Sequence, residues 1–329
     1  MFLPLSFLSQ YFNELPLFLK RVAKVRTFFE LPNFSATFFT FFAKIFKKKA
    51  LFAPKTPFLC LFPGKNRIFD YKISIMKKSI ILLFIFATSA IFAQKTQVVA
   101  HRGYWDTPEN AQNSITALQK AQQIPVYGSE FDVNMTADGV MVVSHGPKLE
   151  TIPDVQKATY KEVKQVRLKN GEKVPTLKQY LKQGKKGKIK LIFELKEHPH
   201  GEIENAAVLK SVKMVKKLKL EDQVEFISFS LEACKQLAQL MPGCMVQYLG
   251  GKIPPKELKE MGIMGLDYHY SNFVNHPEWV KEAHDLGMIV NVWTVNKEEM
   301  MQQMINLGVD YITTDKPELC IKLIKESSR

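Results

Sequence analysis

The chain has 329 residues and a formal net charge of +14, and its composition changes sharply along its length. Residues 1–75 hold 16 of the 24 Phe, one of the 16 Gly, and 12 Lys or Arg against three acids. Residues 94–329 carry 32 basic and 29 acidic side chains, so their net charge of +3 gives no reason to expect a nucleic-acid partner.

The upstream segment 1–75 shows neither a sustained helical nor an alternating apolar pattern. It could be a basic, aromatic segment that lies on a membrane surface. The alternative is that it is not part of the working protein, since an AT-rich spacer would encode Phe and Lys, and a second start lies at Met76. We favour the second interpretation and leave these residues out of the fold.

From Met76 the sequence is typical of a secretory signal peptide. Two lysines precede an apolar run at 80–92, and Ala93 is a small residue before an expected cut at Gln94. The run is shorter than the about 20 residues that span a bilayer. We therefore predict a signal peptide at 76–93, secretion to the periplasm, and a mature domain at 94–329 without a stable membrane span.

The mature part alternates short strand patterns with helical ones. Strands are predicted at 97–100, 129–134 with a return at 140–143, 189–196, 224–230, 245–249, 263–268, 288–294 and 309–313. Helices are predicted at 111–121, 177–183, 208–218, 231–240 and 296–308, the last with Asn296 and Glu299 in capping-box spacing. This order favours an α/β fold, a (β/α)8 TIM barrel with a small insertion at about 146–174 after the second strand. An open doubly wound sheet is the alternative.

Three cysteines lie in the mature part, and their spacing matches no zinc site. Cys234 and Cys244 could form a disulfide in an oxidising compartment. We expect buried free thiols and assign them no chemistry.

The segment 128–145, GSEFDVNMTADGVMVVSH, is the hairpin around which the rest is organised. Alternation along its first strand places Glu130 and Asp132 on one face. Two neighbouring buried carboxylates repel each other, and a bound cation is the simplest compensation. The turn at 137–139 then brings the chain back to His145.

Other polar and aromatic side chains also stand at or just beyond the carboxyl ends of predicted strands. With the hairpin residues, they are His101, Glu130, Asp132, Glu194, Lys196, Trp293 and Asp315. Barrel enzymes keep their active sites at this end of the strands, so the pattern favours the barrel over the open sheet.

A series of short motifs resembles the glycerophosphodiester phosphodiesterase family. In order they are HRG at 101–103, PEN at 108–110, ExD at 130–132, TxDG at 136–139, His145, ExK at 194–196, WTVN at 293–296 and TDxP at 314–317. Each is weak alone, but together they span nearly all of 97–319. The resemblance implies a (β/α)8 barrel that hydrolyses a small-molecule glycerophosphodiester to glycerol 3-phosphate and an alcohol.

The resemblance further implies that Glu130, Asp132 and Glu194 are metal ligands. An all-oxygen set without Cys or His suits a hard ion, so the expected cofactor is one divalent cation, Mg²⁺ or Ca²⁺. A plain ion pair between Glu194 and Lys196 in the barrel wall is the alternative for those two residues.

It also implies that His101 and His145 are the general acid and base and that Arg102 and Lys196 neutralise charge on the phosphoryl oxygens. The attacking group implied is the substrate's own glycerol hydroxyl. Gly146 stands where the family usually has Asp, so the group that orients His145 is expected to come from elsewhere.

Trp293 is predicted to line the substrate pocket, with core packing as the alternative. No motif ties Asp267, His269 or His276 to the site, and we leave them out of it. Two other functions remain open: a phospholipase of the C or D type that cleaves lipid headgroups, and a barrel that binds glycerophosphodiesters without turnover. A binding protein has no need of paired histidines. The sequence does not indicate an oligomeric state.

Overall fold

The computed structural model describes residues 96–199 and 201–327. The upstream segment 1–75 and the predicted signal peptide 76–93 lie outside the described residues. The strands are β1 (Gln97–Ala100), β2 (Gly128–Met135), β3 (Met141–Val143), β4 (Lys190–Leu195), β5 (Val224–Ser228), β6 (Val246–Tyr248), β7 (Gly265–His269), β8 (Ile289–Trp293) and β9 (Tyr311–Thr314). Every predicted strand is present, with ends that shift by a residue or two.

Helices follow most strands. They are α1 (Ile115–Ala121), α2 (Tyr160–Val163), α3 (Leu177–Gly184), α4 (Glu202–Leu218), α5 (Leu231–Leu240), α6 (Pro255–Glu260), α7 (Tyr270–Asn275), α8 (Glu278–Asp285), α9 (Glu298–Leu307) and α10 (Pro317–Glu326). Local capping chemistry sets several starts: Ser114 Oγ accepts from the Ala117 N–H at 3.0 Å, and Thr176 forms a capping box with Gln179.

The predicted capping box at Asn296 is wrong. Helix α9 begins at Glu298, and the residue at its cap, Lys297, makes no side-chain cap bond. Asn296 instead reaches across to the end of β9, where its Oδ1 accepts from the Asp315 N–H at 2.9 Å. A tertiary contact has replaced the local one, whereas Gly308 ends the helix as predicted, at φ 82°.

Eight strands pair in parallel, in the order β1-β9-β8-β7-β6-β5-β4-β2, and pairing of β1 with β2 closes the ring. Strand β3 pairs antiparallel with β2 outside the ring, which makes the predicted hairpin. The TIM barrel is therefore confirmed, and the open sheet is wrong.

Alternation along each strand sorts side chains between two cores. In β2, Phe131 and Val133 are fully buried in the main core between the strands and the helices. Glu130 and Asp132 therefore face the barrel interior. The interior also holds a smaller apolar cluster built on Val99, Ile192, Ile227, Leu249 and Tyr311.

Aromatic and polar side chains close the barrel at its amino end. The rings of Tyr127 and Tyr311 stack with centroids 4.1 Å apart, and the Tyr127 hydroxyl donates to the buried Glu225 carboxylate. This packing leaves the carboxyl end of the barrel for a functional site.

The hairpin turn is built from its own polar groups. Thr136 Oγ1 donates to Asp138 Oδ1 at 2.6 Å and accepts from the Val140 N–H at 2.9 Å, and Gly139 has φ 79°. Because that conformation favours glycine, the turn occurs where the sequence places it. The returning strand ends beside the mouth, and His145 follows it.

The segment predicted as an insertion has a small core of its own, separate from the barrel. This core contains Ala111 and Val142 from outside the segment and seven buried apolar residues of the segment itself, Leu149, Val155, Ala158, Val163, Val166, Leu168 and Val174. Only α2 and isolated bridges give it regular structure within the described residues.

Cys234, Cys244 and Cys320 are free thiols, so the disulfide considered for the first two does not form. Within 96–199 and 201–327 no helix has the length and apolar character needed to cross a membrane.

Candidate active site

A cavity of about 250 Å³ lies at the carboxyl ends of the barrel strands. Seven of the eight predicted site residues line it: His101, Arg102, Glu130, His145, Glu194, Lys196 and Trp293. The eighth, Asp132, contacts the side chains of Arg102 and Lys196. The structure therefore brings the whole predicted set together.

Three carboxylates form the centre of this site. Asp132 and Glu194 stand opposite each other on the paired strands β2 and β4, and Glu130 lies two residues before Asp132 on the same face. One oxygen from each lies within 4.8 Å of the others. Their exposures are only 2%, 1% and 8% for Glu130, Asp132 and Glu194, so their mutual repulsion is poorly screened.

Two basic side chains offset part of this charge. Lys196 Nζ lies 2.5 Å from Glu194 Oε1 and 3.3 Å from Asp132 Oδ1. Arg102 Nε lies 3.3 Å from Asp132 Oδ2, and the Arg102 backbone N–H donates to Glu130 Oε2 at 2.7 Å. Glu130 thus has the weakest compensation of the three.

The pKa values follow from this arrangement. Burial, with the Asp132 and Glu194 carboxylates beside it, raises the pKa of Glu130. Burial and Asp132 raise the pKa of Glu194 to about 8, although Lys196 opposes them. Burial acts on Asp132 in the same sense, but Lys196 and Arg102 outweigh it and lower that pKa. Full ionisation of the cluster therefore requires more positive charge than these two side chains supply.

The residues present fit a divalent cation. All three side chains offer oxygen, which suits Mg²⁺ or Ca²⁺. Glu130 Oε1 is buried and has no hydrogen-bond partner among the described residues, which leaves it free to coordinate a cation. Glu130, Asp132 and Glu194 would hold the ion.

We expect a cation to stabilise the protein more at alkaline than at acidic pH. The pKa of Glu194 in the folded apoprotein is about 8, above its ordinary 4.5. Its contribution to the free energy of unfolding is therefore fully present below pH 4.5 and is lost as the pH rises through 8. Thermal unfolding with chelator or with added Mg²⁺ or Ca²⁺ tests this. The gain in Tm on adding the cation should be larger above pH 8 than near pH 4.5. An equal gain at the two pH values would contradict the expectation.

Asn113 supports the carboxylate cluster and was not identified by the sequence analysis. Its Nδ2 donates to Asp132 Oδ2 at 2.8 Å, and its Oδ1 accepts from the Asp132 N–H at 3.0 Å. Asn113 is buried and has φ 61°, a conformation that Asn tolerates better than most residues. These two bonds orient Asp132 from the α1 side of the barrel.

His101 is held by a carboxylate that follows β9. Its Nδ1–H donates to Asp315 Oδ1 at 2.7 Å, so its Nε2 faces the cluster, 3.9 Å from Glu130 Oε2. Trp105 and Asn296 also donate to Asp315, at 3.0 and 2.6 Å. Burial acts to raise the pKa of Asp315, but the hydrogen bond and charge of His101 lower it.

Replacing Asp315 with Asn is expected to lower kcat by about 10- to 100-fold, the cost of one charge-assisted hydrogen bond. The amide cannot hold the His101 ring with the same charge and orientation. Steady-state kinetics beside a metal-binding titration tests this, because metal affinity should stay near that of the wild type. Loss of metal binding in parallel with kcat would show that Asp315 supports the cluster and not His101.

His145 has a different environment. The residue is exposed at the mouth, but desolvation of its ring by the surrounding protein lowers its pKa to about 4, with Lys196, Arg102 and His101 acting in the same sense and Asp132 against them. No group in the described part of the chain hydrogen-bonds its ring. The ring is therefore neutral near pH 7 in the protein without a cation or substrate.

Steric contacts explain why position 146 holds glycine and not the Asp that is usual in the family. A Cβ at this position would meet Asn134 Nδ2 at 2.8 Å and Val155 Cγ1 at 3.0 Å, and φ is +49°. Asn134 Nδ2 donates to the Ser144 carbonyl at 2.8 Å, so it cannot move aside without losing that bond. An Asp that could orient His145 does not fit at 146 in this chain.

The cavity wall opposite the carboxylate cluster is largely apolar. Trp293 packs edge-on against Phe229, with centroids 5.6 Å apart, and its Nε1–H donates to the Asp267 carbonyl at 2.8 Å. Trp293 lines the cavity, as predicted. His269 packs against Trp293 without lining the cavity, and His276 stacks on Trp279 at the surface.

Asp267 was left out of the predicted site, but the structure places it at the cavity. Its side chain lines the cavity and is 1% exposed. Burial, with the Glu194 carboxylate, raises its pKa well above the ordinary value. Leu266 and Tyr268, on either side of Asp267, pack in the main core, so Asp267 faces the barrel interior. The same alternation along a strand identified Glu130.

Comparison with known proteins agrees with this geometry. The profile of the glycerophosphoryl diester phosphodiesterase family matches residues 101–319. The glycerophosphodiester phosphodiesterase of Caldanaerobacter subterraneus subsp. tengcongensis is 30% identical over 252 residues, which cover 70% of this chain and 99% of that protein.

Solved structures show the same relationship. A glycerophosphodiester phosphodiesterase from Parabacteroides distasonis is 50% identical, with a TM-score of 0.70, and the match covers 72% of this chain and 99% of that one. An Oleispira antarctica phosphodiesterase in complex with the product sn-glycerol-3-phosphate is 26% identical, with a TM-score of 0.62, over 70% of this chain and 97% of that one. The chain therefore belongs to the glycerophosphoryl diester phosphodiesterase family and is an enzyme of that family.

Proposed function

We propose that this enzyme hydrolyses small glycerophosphodiesters to glycerol 3-phosphate and an alcohol, that the reaction requires one divalent cation, and that His101 and His145 are its general acid and base. The named relatives and the product complex of the Oleispira antarctica enzyme support the substrate class. Overall, a new bond forms between phosphorus and an oxygen that comes from water. The bond between phosphorus and the alcohol oxygen breaks, and the alcohol oxygen takes a proton.

One observation carries the proposal. Two imidazoles, a cluster of three buried carboxylates and two basic side chains converge on one cavity of about 250 Å³. A barrel that only binds diesters needs cationic groups for the phosphate, but it has no use for two proton-transfer groups beside them. The paired histidines therefore favour catalysis over binding.

Each group has a task that its surroundings allow. Lys196 and Arg102 reach the cavity and stabilise negative charge on the phosphoryl oxygens. His101, held through Nδ1, presents Nε2 for proton transfer, and His145 offers the second ring. When bound, the cation would supply further positive charge at the phosphoryl group.

A substrate panel tests the proposed class. The purified protein should release glycerol 3-phosphate from glycerophosphocholine and glycerophosphoethanolamine and should leave intact phospholipid untouched. Cleavage of intact phospholipid, with every glycerophosphodiester ignored, would establish the lipid-headgroup phosphodiesterase instead. Binding of the diesters without any product would establish the binding protein.

We also propose that the enzyme acts in the periplasm after loss of residues up to Ala93. The support is the charged start, apolar run and small residue between Met76 and Ala93. Mass spectrometry of the native protein should place its amino terminus at or near Gln94. Peptides from residues 1–75 in that species would contradict this and would restore the membrane-surface interpretation of the segment.

A further inference from the structure

The wall of the active-site cavity opposite the charged cluster holds one unusual group. Ile227, Phe229, Leu249 and Trp293 make that wall apolar, and Asp267 is the acidic side chain among them. Its carboxyl is 1% exposed, and its Oδ1 has no hydrogen-bond partner within the described residues. A buried acceptor without a partner is costly, which points to a partner that arrives with the substrate.

The neighbouring side chains explain why one oxygen stays free. Thr313 Oγ1 donates to Asn291 Oδ1 at 3.1 Å, which turns the amide nitrogen of Asn291 away from Thr313. Asn291 stands beside Asp267 on the adjacent strand, where burial raises the pKa of Asp267 and the Asn291 side chain acts against that rise. The carboxyl therefore has a polar neighbour on the strand next to it, while its Oδ1 stays without a partner among the described residues. The rest of this wall is apolar apart from Thr294 and Thr313.

The position of the charged groups decides which part of a substrate can reach Asp267. Arg102 and Lys196 lie on the same side of the cavity as the carboxylate cluster, and these two basic groups attract the phosphoryl group. The carbon chain of the ester then lies against the apolar wall, where a hydroxyl at its end meets Asp267. Glycerol, with a hydroxyl on each carbon, has such a group.

A cationic headgroup fits this wall less well. Lys196 Nζ already lies 5.9 Å above the Phe229 ring, so the aromatic face has a resident cation. Burial favours the neutral form of Asp267, which attracts a cation weakly but can both donate and accept with a hydroxyl.

We propose that Asp267 is a specificity-determining residue, whose free Oδ1 hydrogen-bonds the terminal hydroxyl of the substrate's glycerol and so selects glycerol diesters over diesters that lack this hydroxyl. The inference rests on the proposed hydrolysis of glycerophosphodiesters. It assigns recognition of the glycerol to the apolar wall. Asp267 then does not recognise the leaving alcohol, which lies at the mouth.

The test compares two substrates with the same leaving alcohol. These are glycerophosphoethanolamine and its 2-hydroxypropyl analogue, which lacks only the terminal hydroxyl and keeps the one beside the phosphate ester. The wild type should prefer the glycerol substrate by about 10- to 100-fold in kcat/KM, as expected for a buried polar group left unpaired. Asp267→Leu should bring the ratio close to one, mainly through KM for the glycerol substrate.

Two further variants distinguish the loss of hydroxyl recognition from a general loss of activity or folded protein. Asp267→Asn should keep most of the preference, since an amide also donates and accepts. Asp310→Asn changes another buried aspartate, which accepts from the Val290 N–H at 2.7 Å and lies outside the cavity, and should keep the full ratio. Because each ratio comes from one enzyme preparation, a loss of folded protein does not affect it.

The outcomes are distinct. Failure of the wild type to cleave either substrate would overturn the proposed function. Equal cleavage of both by the wild type, or an unchanged preference in Asp267→Leu, would overturn the inference alone and leave a solvent molecule as the partner of Oδ1. A variant that changes only the choline-to-ethanolamine preference would also overturn it, by assigning Asp267 to the leaving alcohol.

Discussion

Replacing His101 or His145 with alanine is expected to lower kcat by about 10²–10⁴-fold, the range for loss of a general acid or base. Each ring lines the cavity that holds the carboxylate cluster, and neither is among the three side chains that would bind the cation. Metal affinity and Tm should therefore stay near the wild-type values. Steady-state kinetics with glycerophosphoethanolamine, a metal titration and thermal unfolding together test this.

The double variant and a control sharpen that result. If the two rings act as a unit, His101→Ala with His145→Ala should be far less damaging than the product of the single effects. His276→Ala removes a surface imidazole that stacks on Trp279, and it should change nothing. Near-normal turnover in either single variant would mark that histidine as structural.

The second large effect is expected from Glu130→Gln. Glu130 has a buried oxygen with no hydrogen-bond partner in the described part of the chain, so its replacement removes a free ligand atom. We expect metal affinity to fall by more than about 100-fold, since losing even a supporting partner of a ligand costs 10- to 100-fold. Activity should fall at least about 10²–10³-fold at fixed metal, as when one stabilising group in an active site is removed. Calorimetric titration and kinetics measure the two effects.

Glu225→Gln is the matched control for this variant. Glu225 is another buried glutamate of the barrel interior, but it lies at the amino end, where it accepts from Tyr127. Its replacement should leave metal affinity unchanged, whatever it does to Tm. If Glu130→Gln binds the cation as tightly as the wild type, Glu130 is not a ligand.

Most of the barrel and the centre of the site follow from local patterns. Alternation in 128–135 places two carboxylates on the face away from Phe131, and the same rule places Glu194 on β4. Parallel strands bring their carboxyl ends together, so residues distant in sequence, such as His101 and Lys196, meet at one mouth. Periodicity and strand order are sufficient for this part of the site.

The residues that orient the site could not be predicted in the same way. Asn113 reaches Asp132 from a loop with positive φ, and no periodic pattern places a loop side chain. Asn296 was assigned to a helix cap because its spacing allowed one, but the neighbouring strand end offered it Asp315. Asp267 was predictable from alternation and was omitted because it belongs to no recognised motif. Supporting contacts depend on which loops meet, and only the folded barrel determines that.

Phosphorus NMR of glycerophosphoethanolamine incubated with the wild-type protein, with chelator and then with added Mg²⁺ or Ca²⁺, tests the central claim most directly. The account predicts that the diester signal is replaced by a monoester signal of glycerol 3-phosphate. That conversion should stop with chelator and resume when the cation is restored. Appearance of phosphoethanolamine in place of glycerol 3-phosphate, or turnover that the chelator leaves unchanged, would contradict it.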